Sequence, residues 1–423
     1  MMLGSVPLSH VEIWGIAAVA TGGVIIRPWG WPEALWAVLG AAILVLSALL
    51  PWREGLAAVA KGTDVYLFLT GMMLLAELAR GEGLFDWLAA HAAQAAAGSA
   101  MRLFSLVYGV GIVVTAFLSN DATAVVLTPA VYAAAKAAKA EPLPYLVVCA
   151  FIANAASFVL PISNPANLVL YGNQMPPLQH WLRQFTLPSL LAIGATYAAL
   201  RLLYRNEIKG AIAANIEVPP LSNGGRYTAY GLGVTAVALL AASALKIQLG
   251  APTFGAAAAT ALFVLIRNKE TPWPLLSGVS WGVLPLVAGL FVLVEGLNAT
   301  GVVAALTDAL RSGIEQSEIA TAWAAGAGLA FATNLMNNLP AGLIAESAVT
   351  PIHAPESVRG ALLIGVDLGP NLSVTGSLAT ILWLIALRRD DEHINAKDFL
   401  RIGAIAMPPA LLLALGALTL TSK

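Results

Sequence analysis

The chain is 423 residues long, 59% of them apolar and only 11% formally charged, whereas soluble globular domains carry nearly a quarter of their residues as charges. Its 22 Lys and Arg nearly cancel its 23 Asp and Glu, which excludes the one-signed field that would gather nucleic acid. One cysteine, Cys149, excludes an internal disulfide and any multi-thiolate metal site, and the five histidines are scattered. No Lys or Arg occurs in 103–135, 140–182, 270–310, 312–358 or 360–387. A span needs about 20 apolar residues to cross the hydrocarbon core, so these stretches mark an all-α polytopic membrane protein. The first apolar segment lacks a basic leader and a small-residue cleavage site, and is expected to be a retained span.

In chain order, apolar segments able to cross lie at 11–26, 32–50, 64–80, 185–204, 227–245, 252–266, 275–298 and 402–421. Amphipathic stretches at 84–98, 176–183 and 301–313 suit the membrane interface. Between them the apolar pattern is broken four times: at Ser119-Asn120-Asp121, at 161–167 (PISNPAN), at Asn337-Asn338-Leu339-Pro340, and at Asp367-Leu368-Gly369-Pro370-Asn371. After Asn120 the apolar arm 122–135 would span only about 21 Å as a helix, too short for a crossing. The segments 102–138 and 317–352 are therefore expected to be re-entrant hairpins with tips at Asn120 and Asn338. The one long polar linker, 205–226, divides the chain into a first repeat, 1–204, and a second, 227–423. Gly71, Glu77 and Gly83 recur as Gly289, Glu295 and Gly301, each 218 residues later, and the same shift carries Ser119-Asn120 onto Asn337-Asn338. Five full crossings per half make the second repeat inverted relative to the first. Placing the linker in the cytosol puts 15 of the 22 Lys and Arg inside, as the positive-inside rule favours, with Arg53 and Lys61 as the clearest exceptions.

Paired broken helices in inverted repeats are the usual frame of a secondary transporter. The side chains at the breaks are mainly Asn and Ser, which donate and accept hydrogen bonds without permanent charge and suit a small polar solute. An ionisable group at membrane depth is a functional candidate. Asp121, with no basic residue near it in sequence, leads; Asp367 follows, then Glu77 and Glu295, whose positions late in their spans also fit the interface. Glu346 and His353, near a hairpin end, are expected to be solvated. No phosphate loop, zinc-protease motif or nucleophile elbow is present, so an ion gradient or a separate ATPase subunit has to supply energy.

The segments 117–129 (FLSNDATAVVLTP), 151–167 (FIANAASFVLPISNPAN), 337–340 (NNLP) and 367–383 (DLGPNLSVTGSLATILW) resemble, in order, four signatures of the arsenite efflux permeases, the ArsB family of the ion-transporter superfamily. The resemblance implies a prokaryotic inner-membrane protein that exports arsenite and antimonite, driven by proton entry or by an associated arsenite-stimulated ATPase. No cofactor is implied, and no metal beyond the transported metalloid. The cradle is then expected from Asn120, Asp121, Thr123, Asn337 and Asn338 at the hairpins and from Ser163, Asn164, Asn167, Asn371 and Ser373 at the breaks. Sodium–proton antiporters of the same superfamily are the alternative. Dicarboxylate carriers fit less well, because Asp121 would repel a carboxylate. Arsenite at neutral pH is an uncharged trihydroxide, so an amide and hydroxyl cradle could hold and release it where three thiolates would trap it.

Overall fold

The computed structural model describes residues 7–389 and 392–422. It is all-helical: among the described residues the only β-type pairing is the isolated bridge between Ser99 and Ala211. Seven helices are long and apolar enough to cross a membrane, and up to nine when the bent pairs Trp52–Lys61 with Thr63–Gly81 and Val283–Ala299 with Val302–Gln316 are each taken as one span. Both hairpins form. The first runs in along Ala100–Phe117 and out along Asn120–Ala137; the second runs in along Glu318–Met336 and out along Asn338–Val349. Each is followed by a broken helix, Leu143–Ala155 with Pro165–Tyr171, and Glu356–Leu368 with Leu378–Arg389.

Hydrogen bonds between helix ends assign each connection to one of two faces. On the linker face Glu82 accepts from Ser222 at 3.1 Å and from Asn268 at 2.7 Å, while the backbone N–H of Ala213 donates to the Ala138 carbonyl at 2.8 Å. On the far face Lys61 pairs with Glu295 at 2.8 Å, His180 pairs with Glu356, and Thr421 donates to the Gln184 carbonyl at 2.7 Å. Followed through these faces, the first hairpin enters and leaves on the linker side and the second on the far side. The two repeats are inverted.

The recurring glycines have a packing cause. A β-carbon on Gly71 would lie 2.8 Å from the Thr253 carbonyl carbon, and one on Gly289 would lie 2.7 Å from the Ala37 carbonyl carbon. Each glycine lets its span cross the other repeat's second span, Gly250–Asn268 or Glu33–Leu46, at backbone distance. Gly83 (φ 71°) and Gly301 (φ 81°) take the left-handed turn that starts the two interfacial helices, Leu84–Ala95 and Val302–Gln316. The repeats also interlock at the breaks: Pro165–Tyr171 packs on the exit arm of the second hairpin, and Leu378–Arg389 on that of the first.

Two sequence expectations need correction, and one element went unexpected. The stretch 176–183 is not a separate interfacial piece; from Leu178 it is the start of one 26-residue helix, Leu178–Leu203, which continues through Pro188. The stretch 275–298 is divided between a short helix, Trp273–Gly278, and Val283–Ala299. An additional amphipathic helix, Trp52–Lys61, follows Pro51, a residue that cannot continue the preceding helix.

Candidate substrate site at the hairpin tip and the helix breaks

The first tip is built by its own side chains. Helix Ala100–Phe117 ends at Leu118, Ser119 is extended, and its Oγ accepts from the Ala122 N–H at 3.2 Å to cap the exit arm. Asn120 Oδ1 accepts from the Asp121 N–H at 2.9 Å. A π-helical turn, Thr123–Leu127, follows, a feature frequent at functional sites. At the second tip Asn337 holds the same place as Ser119: with φ at 76° its Oδ1 faces the Leu339 N–H at 3.4 Å.

A cavity of about 680 Å³ reaches the first tip. Ser119 and Asp121 lie at one end of its lining and Glu77, Arg80 and Asp86 at the other, with apolar walls from Leu69, Met72, Val125 and Leu382 between them. Arg80, whose side chain is 55% exposed, marks the opening, which lies on the linker face. Its Nε donates to Glu77 Oε2 at 2.8 Å, and Nη2 engages the other oxygen. Glu77 is otherwise buried because Gly278 makes room for it: a β-carbon there would lie 1.8 Å from Glu77 Oε1. Among the described residues no group donates to the Asp121 carboxylate. It is the one unpaired acid in the membrane-depth part of this cavity.

The broken helices meet in a buried polar network that joins the repeats. Asn164 Nδ2 donates to Asp367 Oδ1 at 2.7 Å, and its own Oδ1 caps Pro165–Tyr171 by accepting from the Ala166 N–H at 3.0 Å. Asn167 Nδ2 donates to the Ser157 carbonyl at 2.8 Å. Asn371 donates to the Phe151 carbonyl at 3.1 Å and accepts from Asn154 Nδ2 at 3.0 Å. Among the described residues, Asp367 Oδ2 and Asn167 Oδ1 are buried acceptors without a donor. The two breaks are also tied to their hairpins in matched fashion. Ser163 Oγ donates to the Ala116 carbonyl at 3.1 Å, and Thr375 Oγ1 to the carbonyl of Asn334, which is 218 residues beyond Ala116, at 2.8 Å. Ser373 Oγ adds a bond to Asn334 Oδ1 at 2.7 Å.

Of the ten expected cradle residues, Asp121 lines the cavity. Asn164 and Asn371 are gathered in the inter-repeat network, Asn167 holds carbonyls of its own break, and Ser163 and Ser373 brace the breaks. Thr123 is turned into its hairpin against Thr115, at 2.8 Å. Asn120 and Asn338 are buried at their tips, and neither side-chain amide nitrogen has a protein partner among the described residues. Glu295 is paired with Lys61 on the far face, away from Asp121. Glu346 is half-buried rather than solvated, accepting from Thr350 at 3.0 Å. Sequence reasoning passed over Asn154, Asn334 and Arg80. Asn154 stands inside the second signature, and Arg80 follows Glu77 by the three positions that make a helix pair. Asn334 falls on Ala116 under the repeat shift, so symmetry did not point to it.

Residues 20–365 match the family described as citrate transporter, CitMHS. The chain belongs to this family. It is 28% identical to the arsenical pump membrane protein of Yersinia enterocolitica over 82% of its length and 84% of that protein's. It is likewise 28% identical to an arsenical pump membrane protein of Escherichia coli, over 92% and 93% of the two chains. These likenesses, nearly end to end, support the ArsB assignment drawn from the four motifs. The fold is shared with the crystal structure of the Alcanivorax borkumensis YdaH transporter, at a TM-score of 0.57 and 13% identity over 98% of both chains. The protein is a multi-pass transporter of a prokaryotic inner membrane.

Proposed function

We propose that the protein exports arsenite and antimonite from the cytoplasm in exchange for protons, and that Asp121 carries the proton. The observation that supports this reading most is the unpaired Asp121 carboxylate at one end of a cavity whose walls are largely apolar. Arsenic trihydroxide can donate an O–H to that carboxylate, while Ser119 and the Asn120 amide offer further hydrogen-bonding groups to its other oxygens. A proton on Asp121 replaces the charged acceptor with a neutral, weaker one, so proton and arsenite compete for one site and their gradients are linked. Asn337 and Asn338 complete the cradle at the hairpin tips, Ser163, Asn164, Asn167, Asn371 and Ser373 brace it from behind by holding the helix breaks, and Thr123 fixes the tip. Asp367 is the second proton candidate. Glu77 and Glu295 come after it, because each already has a cation.

The repeats are taken to divide at 205–226, with that linker in the cytosol on the strength of the charge bias. The cavity then opens inward, where efflux loads. A citrate-like tricarboxylate suits this cavity poorly: it would meet Asp121, Asp86 and Glu77, and the one cation there is engaged by Glu77. Sodium–proton exchange could use the same carboxylate. Uptake into everted vesicles lacking any ATPase subunit separates the two, comparing radiolabelled arsenite with sodium under an imposed pH gradient. Arsenite accumulation that collapses with the gradient supports the proposal; sodium-dependent proton flux without arsenite uptake refutes it. An effect seen only with an added arsenite-stimulated ATPase would move the energy source to that partner.

A further inference from the structure

We infer that a groove on the linker face holds the headgroup of an anionic phospholipid. The groove, about 630 Å³ in volume, lies between the interfacial helix Leu84–Ala95, the end of the 205–226 linker and the start of helix Asn223–Ala244. Trp87, His91, Pro219, Pro220, Arg226 and Tyr230 line it. Its walls are anchored at both ends of the linker segment. The Ile212 N–H donates to the Gly98 carbonyl at 3.0 Å, and Ile216 is buried. Ser222 Oγ accepts from the Gly225 N–H at 2.8 Å, capping Asn223–Ala244. The two prolines between these anchors leave the backbone little freedom.

Position points to a lipid rather than to a soluble anion. On helix Asn223–Ala244, Arg226 heads a stripe of Tyr230, Val234 and Val237 on successive turns, each between 65% and 71% exposed. Acyl chains cover such a stripe on a crossing helix, so the guanidinium stands at headgroup level with the chains running away from it. The charge there is uncommitted. Among the described residues the Arg226 guanidinium has neither an acid nor a hydrogen-bond partner. Glu82, the acid nearest this corner, is held by Ser222 and Asn268, and the exposed Glu217 does not line the groove. A guanidinium can grip a phosphate by two parallel N–H···O bonds. His91 Nδ1 lies 2.9 Å from the Trp87 carbonyl and so donates to it, which leaves Nε2 for a ligand. The Trp87 ring beside it suits the headgroup layer. Arg267 of the next span stacks on Tyr227 and Phe263, at 6.0 and 5.7 Å, and adds positive potential at this edge. The lining has no carboxylate for the ammonium of a zwitterionic headgroup. Trp87 directly follows Asp86, which lines the Asp121 cavity, so a lipid bound here braces the helix at that cavity's mouth.

The test uses full-length protein, delipidated in a neutral detergent. It is titrated with phosphatidylglycerol, with phosphatidylcholine of the same chains, and with inorganic phosphate, while Tm and adducts in native mass spectrometry are followed. Phosphatidylglycerol is expected to raise the Tm and to persist as a bound adduct; the other two should do neither. Arg226→Gln should keep the lipid-free Tm, because the side chain has no protein partner, and should weaken phosphatidylglycerol binding about tenfold or more. Arg183→Gln, which removes an exposed cation near His180 on the far face, should bind as the wild type does. The selectivity of the wild-type chain is a second readout that needs no variant. Equal stabilisation by phosphatidylcholine, an effect of inorganic phosphate matching that of the lipid, or unweakened binding by Arg226→Gln would each overturn the inference. Dimers that form without lipid and are lost in Arg226→Gln would assign the groove to a second copy of the chain and overturn it as well.

Discussion

Asn371 separates a structural role at the helix breaks from a binding one. Its side chain is fully buried, and both ends are engaged: Nδ2 with the Phe151 carbonyl at 3.1 Å and Oδ1 with Asn154 Nδ2 at 3.0 Å. Asn371→Ala removes a second donor from the Phe151 carbonyl, which keeps its bond within helix Leu143–Ala155, and leaves the Asn154 amide with only contacts at 3.5 Å to Ala150 and Thr380. A buried polar group left without its partner costs about 1–3 kcal/mol, so losing the good bond to the Asn154 amide should cost about that much. Against a total stability of about 5–15 kcal/mol, that loss should lower both membrane abundance and the Tm in detergent. Asn154→Ala strands the Asn371 oxygen and removes a weak acceptor from Ser377, and should cost a similar amount. The double variant should be less than additive, because the two side chains share one bond. Thermal unfolding of the three purified variants measures this directly. An Asn371→Ala protein with normal abundance and Tm but no arsenite transport would refute the reasoning and return Asn371 to the cradle.

Asp121→Asn breaks no intramolecular bond of the carboxylate, so abundance should stay normal; replacing a charged acceptor with a neutral one should weaken arsenite binding by about 1 kcal/mol, roughly fivefold, and gradient-driven accumulation in vesicles should be lost. Asn120→Ala and Asn338→Ala should abolish arsenite resistance in growth assays while immunoblots show nearly normal protein, because neither amide nitrogen has a protein partner. Gly71→Leu and Gly289→Leu should each lower the Tm by a similar amount, since both drive a side chain into backbone at the equivalent helix crossing, an overpacking worth about 1–3 kcal/mol or more. Cys149→Ser should leave arsenite resistance unchanged, because the thiol is buried and its bond to the Tyr145 carbonyl can be kept by a hydroxyl.

The architecture was legible where backbone need restricts residue choice. Only glycine serves the two close crossings at Gly71 and Gly289, and it suits the two left-handed turns at Gly83 and Gly301, so the repeat survived in the sequence at those positions. The first hairpin was legible because its exit arm is too short to cross, and the second because the repeat shift carries Ser119-Asn120 onto Asn337-Asn338. The site was less so. Asn and Ser at a broken helix can bind a solute or satisfy carbonyls that the break exposes where water cannot reach, and residue type does not distinguish the two. Asn167 and Asn371 turned out to hold backbone carbonyls, whereas Asn120 and Asn338 keep amides unengaged. The isolation of Asp121 could be read from the missing Lys and Arg around it, because no distant cation among the described residues is brought to its carboxylate. Arg80 was passed over because its partner, Glu77, was weighed alone.

The central claim is that arsenite and protons share the Asp121 site. Purified protein reconstituted into liposomes with a trapped pH indicator tests it without an ATPase and without an imposed proton gradient. An arsenite gradient should change the internal pH in the wild type, with protons moving opposite to arsenite, and should leave it unchanged in Asp121→Asn. Arsenite movement without any pH change in the wild type, or a pH change driven by sodium and indifferent to arsenite, would contradict it.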